Sequence, residues 1–183
     1  MNKATKGAVA AGAAALLLAG GAGTMAAWNA NAPLNGGTIS SGKLTLTTEG
    51  TPSWTVSNAT VNGGTAAPVT ISTFKVSPGD VLTYSGSVKI GAVGNNLSAT
   101  LKADASTITG TGTLKAEMAP VTTATVGATP LPTNGTGVVI TSANNDNVVS
   151  VNVVFDFTKA PATNSSQDSQ VDLTNFNVTL DQA

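Results

Sequence analysis

The side chains that could carry acid–base or nucleophilic chemistry are few. Nine carboxylates (Glu49, Asp80, Asp104, Glu117, Asp146, Asp156, Asp168, Asp172 and Asp181) are scattered singly along the chain, and there is no His and no Cys. Without those two residue types the common nucleophile–base pairs cannot be assembled. Two carboxylates meeting in space, as in a glycosidase, remain the one open hydrolytic arrangement. One Tyr and two Trp are thin equipment for stacking on a sugar. The acids are expected on solvated loops. No catalytic residue is assigned, and the chain is read as not an enzyme.

Binding motifs are equally sparse. Asn144-Asn145-Asp146-Asn147 lacks the Gly and the closing Glu of a calcium loop, and is expected at an Asn-rich hairpin tip. Pro78-Gly79-Asp80 fits the centre of a tight turn, with Gly79 free to take positive φ. Leu131-Pro132-Thr133-Asn134-Gly135 is scrambled relative to a sortase signal and has no apolar, basic tail behind it. The five Asn-x-Ser/Thr triplets are what an Asn- and Thr-rich chain produces by chance. No pair of residues is singled out for a Lys–Asn isopeptide bond. With no Cys there is neither a disulfide nor a thiolate site, and no metal or cofactor is expected.

The elements that must hold these residues follow a period of two. Candidate strands are Gly42–Thr48, Ser53–Asn58, Val69–Val76, Val81–Ile90, Asn96–Ala103, Gly112–Met118, Gly137–Ser142, Val148–Phe157 and Val171–Leu180. Turn residues punctuate them at 62–64, 78–80, 95–96, 134–135 and 144–147, and no amphipathic helix of useful length appears. Short strands between turn signals indicate an all-β sandwich or barrel, and abundant Thr and Val agree. Val148–Phe157 is apolar nearly throughout and reads as a central strand. Pro120–Pro132 reads as a Thr/Ala/Pro-rich surface loop, and Asn164–Gln170 as a polar one.

The N-terminus has a different character. Lys3 and Lys6 form a short positive region, Ala8–Ala19 is apolar around Leu16-Leu17-Leu18, and Gly20-Gly21 is expected to break the helix before small residues at Thr24, Ala26 and Ala27. That layout is a secretory signal peptide, with cleavage expected between Ala26 and Ala27. A membrane anchor is the rival reading, since Gly7–Trp28 is nearly long enough to span a bilayer. Net charge is −1 with 9% charged residues, and loss of the two leader lysines makes it about −3. No basic stripe exists for phosphate contacts, so nucleic acid is not an expected partner. So few charges repel weakly, which favours self-association.

Two stretches carry a family resemblance. Gly21–Ala30 (GAGTMAAWNA), followed by Ile39-Ser40-Ser41-Gly42-Lys43-Leu44-Thr45-Leu46, is similar to the start of the TasA/camelysin family. Val76-Ser77-Pro78-Gly79-Asp80-Val81-Leu82 resembles that family's PGD turn and the strand after it. The likeness covers the leader and residues 27–103, and actinobacterial alternate signal-mediated exported proteins look most similar. Ala30 stands where many members have an acid. Some members are labelled metalloproteases, an activity not carried over to a chain without His or an HExxH-like motif.

The resemblance implies a jelly-roll-like antiparallel β-sandwich, cleaved by a SipW-type signal peptidase, that is exported and polymerises head to tail into extracellular fibres or biofilm matrix. The N-terminus of one subunit would enter the next as a donor strand. The residues suit that role independently: Trp28, Ala30, Ala32 and Leu34 share one face of an alternating segment that could fill a groove while its backbone pairs with an open edge. Pro33 lacks an N–H and confines the segment to an edge. The expected organisation is a signal peptide over 1–26, a donor-strand and linker segment over 27–38, and a β-sandwich domain over 39–183. The protein is expected to be secreted, extracellular or at the cell surface, and to meet the membrane only transiently through its leader. A monomeric exported sandwich binding a glycan or protein through its 120–135 or 144–147 loops is the alternative.

Overall fold

The computed structural model describes residues 2–22, 36–135, 137–158 and 164–183. It forms two compact units, Met1–Ile39 and Ser40–Ala183. The first contains helix α1 (Lys3–Ala22), which runs through Gly20-Gly21 where the sequence suggested a break. Two glycines cost about 2 kcal/mol of helix propensity but have no steric bar to helical φ/ψ. Leu16, Leu17 and Leu18 are exposed on it. No helix among the described residues is long and apolar enough to cross a membrane.

The second unit is all-β and antiparallel. In chain order its elements are β1 (Lys43–Asn58), β2 (Ala67–Pro68), β3 (Asp80–Val93), β4 (Ser98–Ala103), β5 (Thr109–Thr111), the one-turn helix α2 (Leu114–Glu117), β6 (Pro120–Val126), β7 (Thr129–Pro130), β8 (Val138–Thr141), β9 (Val148–Asp156), β10 (Gln170–Asp172) and β11 (Val178–Gln182). They make a large sheet in the order β2-β1-β3-β9-β6-β7, a small sheet β11-β4-β8, and a two-stranded pair β10-β5.

Alternation decides which side of each strand is buried. In the large sheet, Leu82, Val88 and Ile90 of β3, Val149, Val151, Val153 and Phe155 of β9, and Thr122 and Ala124 of β6 are closed off. In the small sheet Ala99 and Leu101 of β4 and Val138 and Ile140 of β8 are closed off, and one apolar core joins the two sets. Strand β9 is central, as expected, but its apolar run is buried on one face only. Val148, Ser150, Asn152 and Val154 point away from the core, and Val148 is 50% exposed.

Several local expectations change. Gly42–Thr48 and Ser53–Asn58 are one strand, β1, with a bulge: Glu49 pairs with Ser87 and Ser53 with Ser85, so residues 50–52 face Gly86 alone. Gly50 at φ 70° permits that excursion, and Pro52 has no N–H to lose. Val69–Val76 is not a strand but irregular chain around a turn at 71–73; Ile71, Phe74 and Val76 rest against the core without pairing. Gly112–Met118 contains α2 instead of a strand, with Leu114 and Met118 buried. Val171–Leu180 divides into β10 and β11 around a turn closed by Phe176 N–H donating to Leu173 O at 3.1 Å. The expected surface loop Pro120–Pro132 is instead β6 and β7. Its small side chains let β6 lie against β9, register Thr122 to Val153 and Ala124 to Val151.

Candidate functional site

Of the motifs singled out, Pro78-Gly79-Asp80 is the most constrained. Gly79 has φ 94°, as a turn glycine requires. Asp80 is buried rather than solvated, against expectation, because its carboxylate is an internal acceptor. Asn58 Nδ2 donates to its Oδ1 and Ser77 N–H to its Oδ2, both at 2.7 Å. Asn58 Oδ1 in turn accepts the N–H groups of Thr60 and Val61 at 3.0 and 3.2 Å. Gly79 N–H donates to Phe157 O, and Phe157 N–H to Asp80 O, both at 2.9 Å. This network fixes the entry to β3 against β1 and the end of β9. Every acceptor is engaged internally, so its work is structural.

Asn144–Asn147 is not a hairpin tip. It joins β8 of the small sheet to β9 of the large one, beginning as a 3₁₀ turn at Ser142–Asn144. Asn145 Oδ1 accepts Ala92 N–H at 2.8 Å, Asn144 Oδ1 accepts Thr141 N–H at 2.9 Å, and Asp146 takes φ 61°. The Asn side chains satisfy the backbone of an inter-sheet corner. Asp146 faces Lys89 at 3.8 Å, and Lys102 faces Asp181 at 3.2 Å. Among the described residues no three acids are grouped as metal ligands would be, and no carboxylate lines either of the two depressions described.

The two sides of the β domain differ. On one side, chain 129–134 joins the sheets: Thr129 and Pro130 pair with Val126 and Thr125, and Leu131 N–H donates to Ala124 O at 2.9 Å. The same segment then reaches β8, where Val139 N–H donates to Pro132 O at 2.7 Å and Thr133 bridges Val138. On the other side the large sheet ends at β1. Strand β2 covers only Thr55 and Val56 of its outer edge. Among the described residues nothing pairs with the outer edge of Lys43–Glu49, nor with the outer edge of β11, whose ladder runs to β4 alone.

Between those two edges lies a slot of about 180 Å³, lined by Leu46, Thr48, Tyr84, Gly86, Phe176 and Val178 among others. Its floor comes from a glycine on the buried face of β3. The Tyr84 ring is laid over Gly86, so a Cβ there would stand 3.0 Å from the phenol oxygen. Tyr84 is held in turn by Phe176 and Trp54, with ring centroids 5.2 and 5.3 Å away and edge-to-face geometry. Burial pushes the Tyr84 phenol above its ordinary pKa. On the inward face of β1, Leu44 and Leu46 are only half-buried and Thr48 is exposed, whereas Ile90 and Ala92 beside them are 0% and 1% exposed.

The expected cleavage residues Ala26 and Ala27 and the expected donor residues Trp28, Ala30, Ala32 and Leu34 lie outside the described residues. The expected turn residues Pro78, Gly79 and Asp80 come together with Asn58. Sequence reading missed the slot. Its available signal was Tyr84-Ser85-Gly86, a glycine two residues from the single aromatic side chain of its strand and on the same face, which marks close approach by another group. Comparison with protein-family models, curated proteins and solved structures finds no match.

Proposed function

We propose that the chain is an exported, non-enzymatic structural subunit that polymerises by lending its N-terminal strand to a second copy, building extracellular fibres or biofilm matrix. The observation that carries this reading is the occurrence of a seven-residue alternating segment, Trp28–Leu34, in one chain with an all-β domain in which, among the described residues, nothing pairs with the outer edges of Lys43–Glu49 and β11. Such a segment gains backbone hydrogen bonds and apolar cover by adding to an edge. A head-to-tail contact of this kind does not close on itself, so it yields filaments. In this reading residues 1–26 are the leader, removed by a SipW-type peptidase between Ala26 and Ala27, and the β domain is jelly-roll-like. The low charge, the absence of His and Cys, and the internal engagement of Asp80, Asn144 and Asn145 leave little equipment for catalysis or loop-borne ligand recognition.

The test is negative-stain microscopy of the purified chain beginning at Ala27, concentrated without any partner, beside a chain lacking 27–35. Regular filaments from the first and none from the second support the reading. Monodisperse particles from both refute self-polymerisation and return the protein to the class of exported ligand-binding domains.

A further inference from the structure

We infer that the slot beside Gly86 is the receptor for Trp28 of a second copy, whose segment 28–34 runs antiparallel to β1 with Trp28 opposite Thr48. This rests on the polymer reading above and specifies the site that reading leaves open. Three observations lead to it.

The first is the asymmetry of the domain's sides. Chain 129–134 bonds to both sheets on one side, taking the β6 edge at Ala124–Val126 and β8 at Val138 and Val139, so the β6 edge keeps only the four residues Pro120–Thr123 without a partner among the described residues. Among the described residues the edge of β1 is open over Lys43–Glu49, and that stretch stops at the Gly50–Pro52 bulge, after which β2 takes the edge at Thr55. The open stretch has the same length as Trp28–Leu34.

The second is the facing rule. Residues opposite one another in a ladder point to the same side of the sheet. Leu44, Leu46 and Thr48 lie on the buried face of β1, so Trp28, Ala30, Ala32 and Leu34 join that face only when even positions meet even positions.

The third is size. In the antiparallel register Trp28 stands beside Thr48, Ala30 beside Leu46 and Ala32 beside Leu44. A large ring then meets the one small side chain of the row, next to the 180 Å³ slot over Gly86, and small side chains meet the two leucines. Alternating large and small across facing positions is what fills an interior without voids. The parallel register with Trp28 beside Leu44 places Ala32 at Thr48 and leaves the slot empty. Trp28 would complete the aromatic group of Trp54, Tyr84, Phe155 and Phe176. Asn29 and Asn31 then project outward beside Thr47 and Thr45, on the solvent face of the sheet.

The absence of native cysteine makes cross-linking specific. Two single variants, Asn29→Cys and Thr47→Cys, are exported separately from a host carrying the processing peptidase, mixed, assembled and oxidised. A dimer band in the mixture, absent from either chain alone, is the expected result. A second variant, Thr48→Trp, fills the slot from an exposed position and should abolish filaments while leaving the far-UV spectrum and thermal midpoint of the domain within a few degrees. Filaments that form without the 29–47 cross-link, or that persist in Thr48→Trp, overturn the slot assignment and leave the polymer reading standing. A disulfide that forms within a chain carrying both cysteines, but never in the mixture, overturns the second copy as occupant. Neither filaments nor cross-link from any chain overturns both.

Discussion

The carboxamide Nδ2 of Asn58 lies 2.7 Å from Oδ1 of Asp80, joining the last residue of β1 to the first of β3, directly opposite it in the ladder, inside the protein. Both residues are under 10% exposed, at 8% and 7%. Asp80→Ala strands one buried donor, Asn58 Nδ2, and a part-buried one, Ser77 N–H, and a buried donor without an acceptor costs about 1–3 kcal/mol. The expected loss is about 3 kcal/mol, read from urea unfolding midpoints. Asp80→Asn keeps one acceptor and should cost about half as much. An alanine variant within 1 kcal/mol of the parent would show that the turn is held by something else.

Acid should loosen two turns before it unfolds the domain. Asp104 lies below the ordinary carboxylate range because the Ser106 hydroxyl donates to its Oδ1 at 2.6 Å, joined by the Ser106 N–H at 2.9 Å. Asp172 is lowered in the same way by Thr174, whose N–H donates at 2.8 Å. A carboxylate depressed on folding contributes stability that is complete above its unfolded pKa and lost as pH falls through the folded one. Both groups are exposed, so the effect is local. In an NMR titration the Ser106 and Thr174 amides should shift together with their carboxylates, at lower pH than an unbonded aspartate. Midpoints at the ordinary aspartate value would refute these hydrogen bonds in solution.

Alkali acts on the slot. Tyr84 is the single tyrosine, and burial holds its phenol above the ordinary value. A phenol raised on folding keeps its proton longer in the native state, so stability is intact below the unfolded pKa and falls as pH rises through the folded one. Absorbance titration at 295 nm should give one transition, above pH 10, that moves down to the free-tyrosine value in urea. Filaments with Trp28 seated against the ring should raise it further. A titration identical in folded and unfolded chains would mean the ring stands in water.

The legible and illegible parts of the sequence divide along physical lines. Period-two alternation was enough to place β3, β8 and β9, because each buries one face above the other, and it placed β4 as well, although Thr100 is buried there between Ala99 and Leu101. It failed at β6, where PVTTATV carries Thr122 and Ala124 to the core: small and hydroxyl-bearing side chains are buried there because β9 supplies the bulk. The same blindness hid α2, a single turn whose Leu114 and Met118 read equally well as strand residues. The Asn-rich 144–147 segment read as a hairpin because local turn chemistry does not reveal that its neighbours belong to different sheets. The slot was least legible of all. A glycine under a ring and an edge without a partner are properties of three separated segments, 46–48, 84–88 and 176–178, which only the fold brings together.

The difference between the two sides of the domain should be visible in amide exchange. Strand β9 is paired on both flanks, with β3 and with β6, so its amides point into ladders in both directions. They should exchange slowest, near the rate of global opening. On the closed side, Leu131 and Val139 donate to Ala124 O and Pro132 O, and both should be protected although they lie beside loops. Along Lys43–Glu49, amides aimed at β3 are bonded and those aimed outward meet water, so protection should alternate residue by residue. Uniform protection of that stretch in the dispersed chain would mean its edge is already covered. In assembled filaments the unprotected half should fall silent while β9 is unchanged, since an added strand bonds the outward amides and leaves the interior ladder alone.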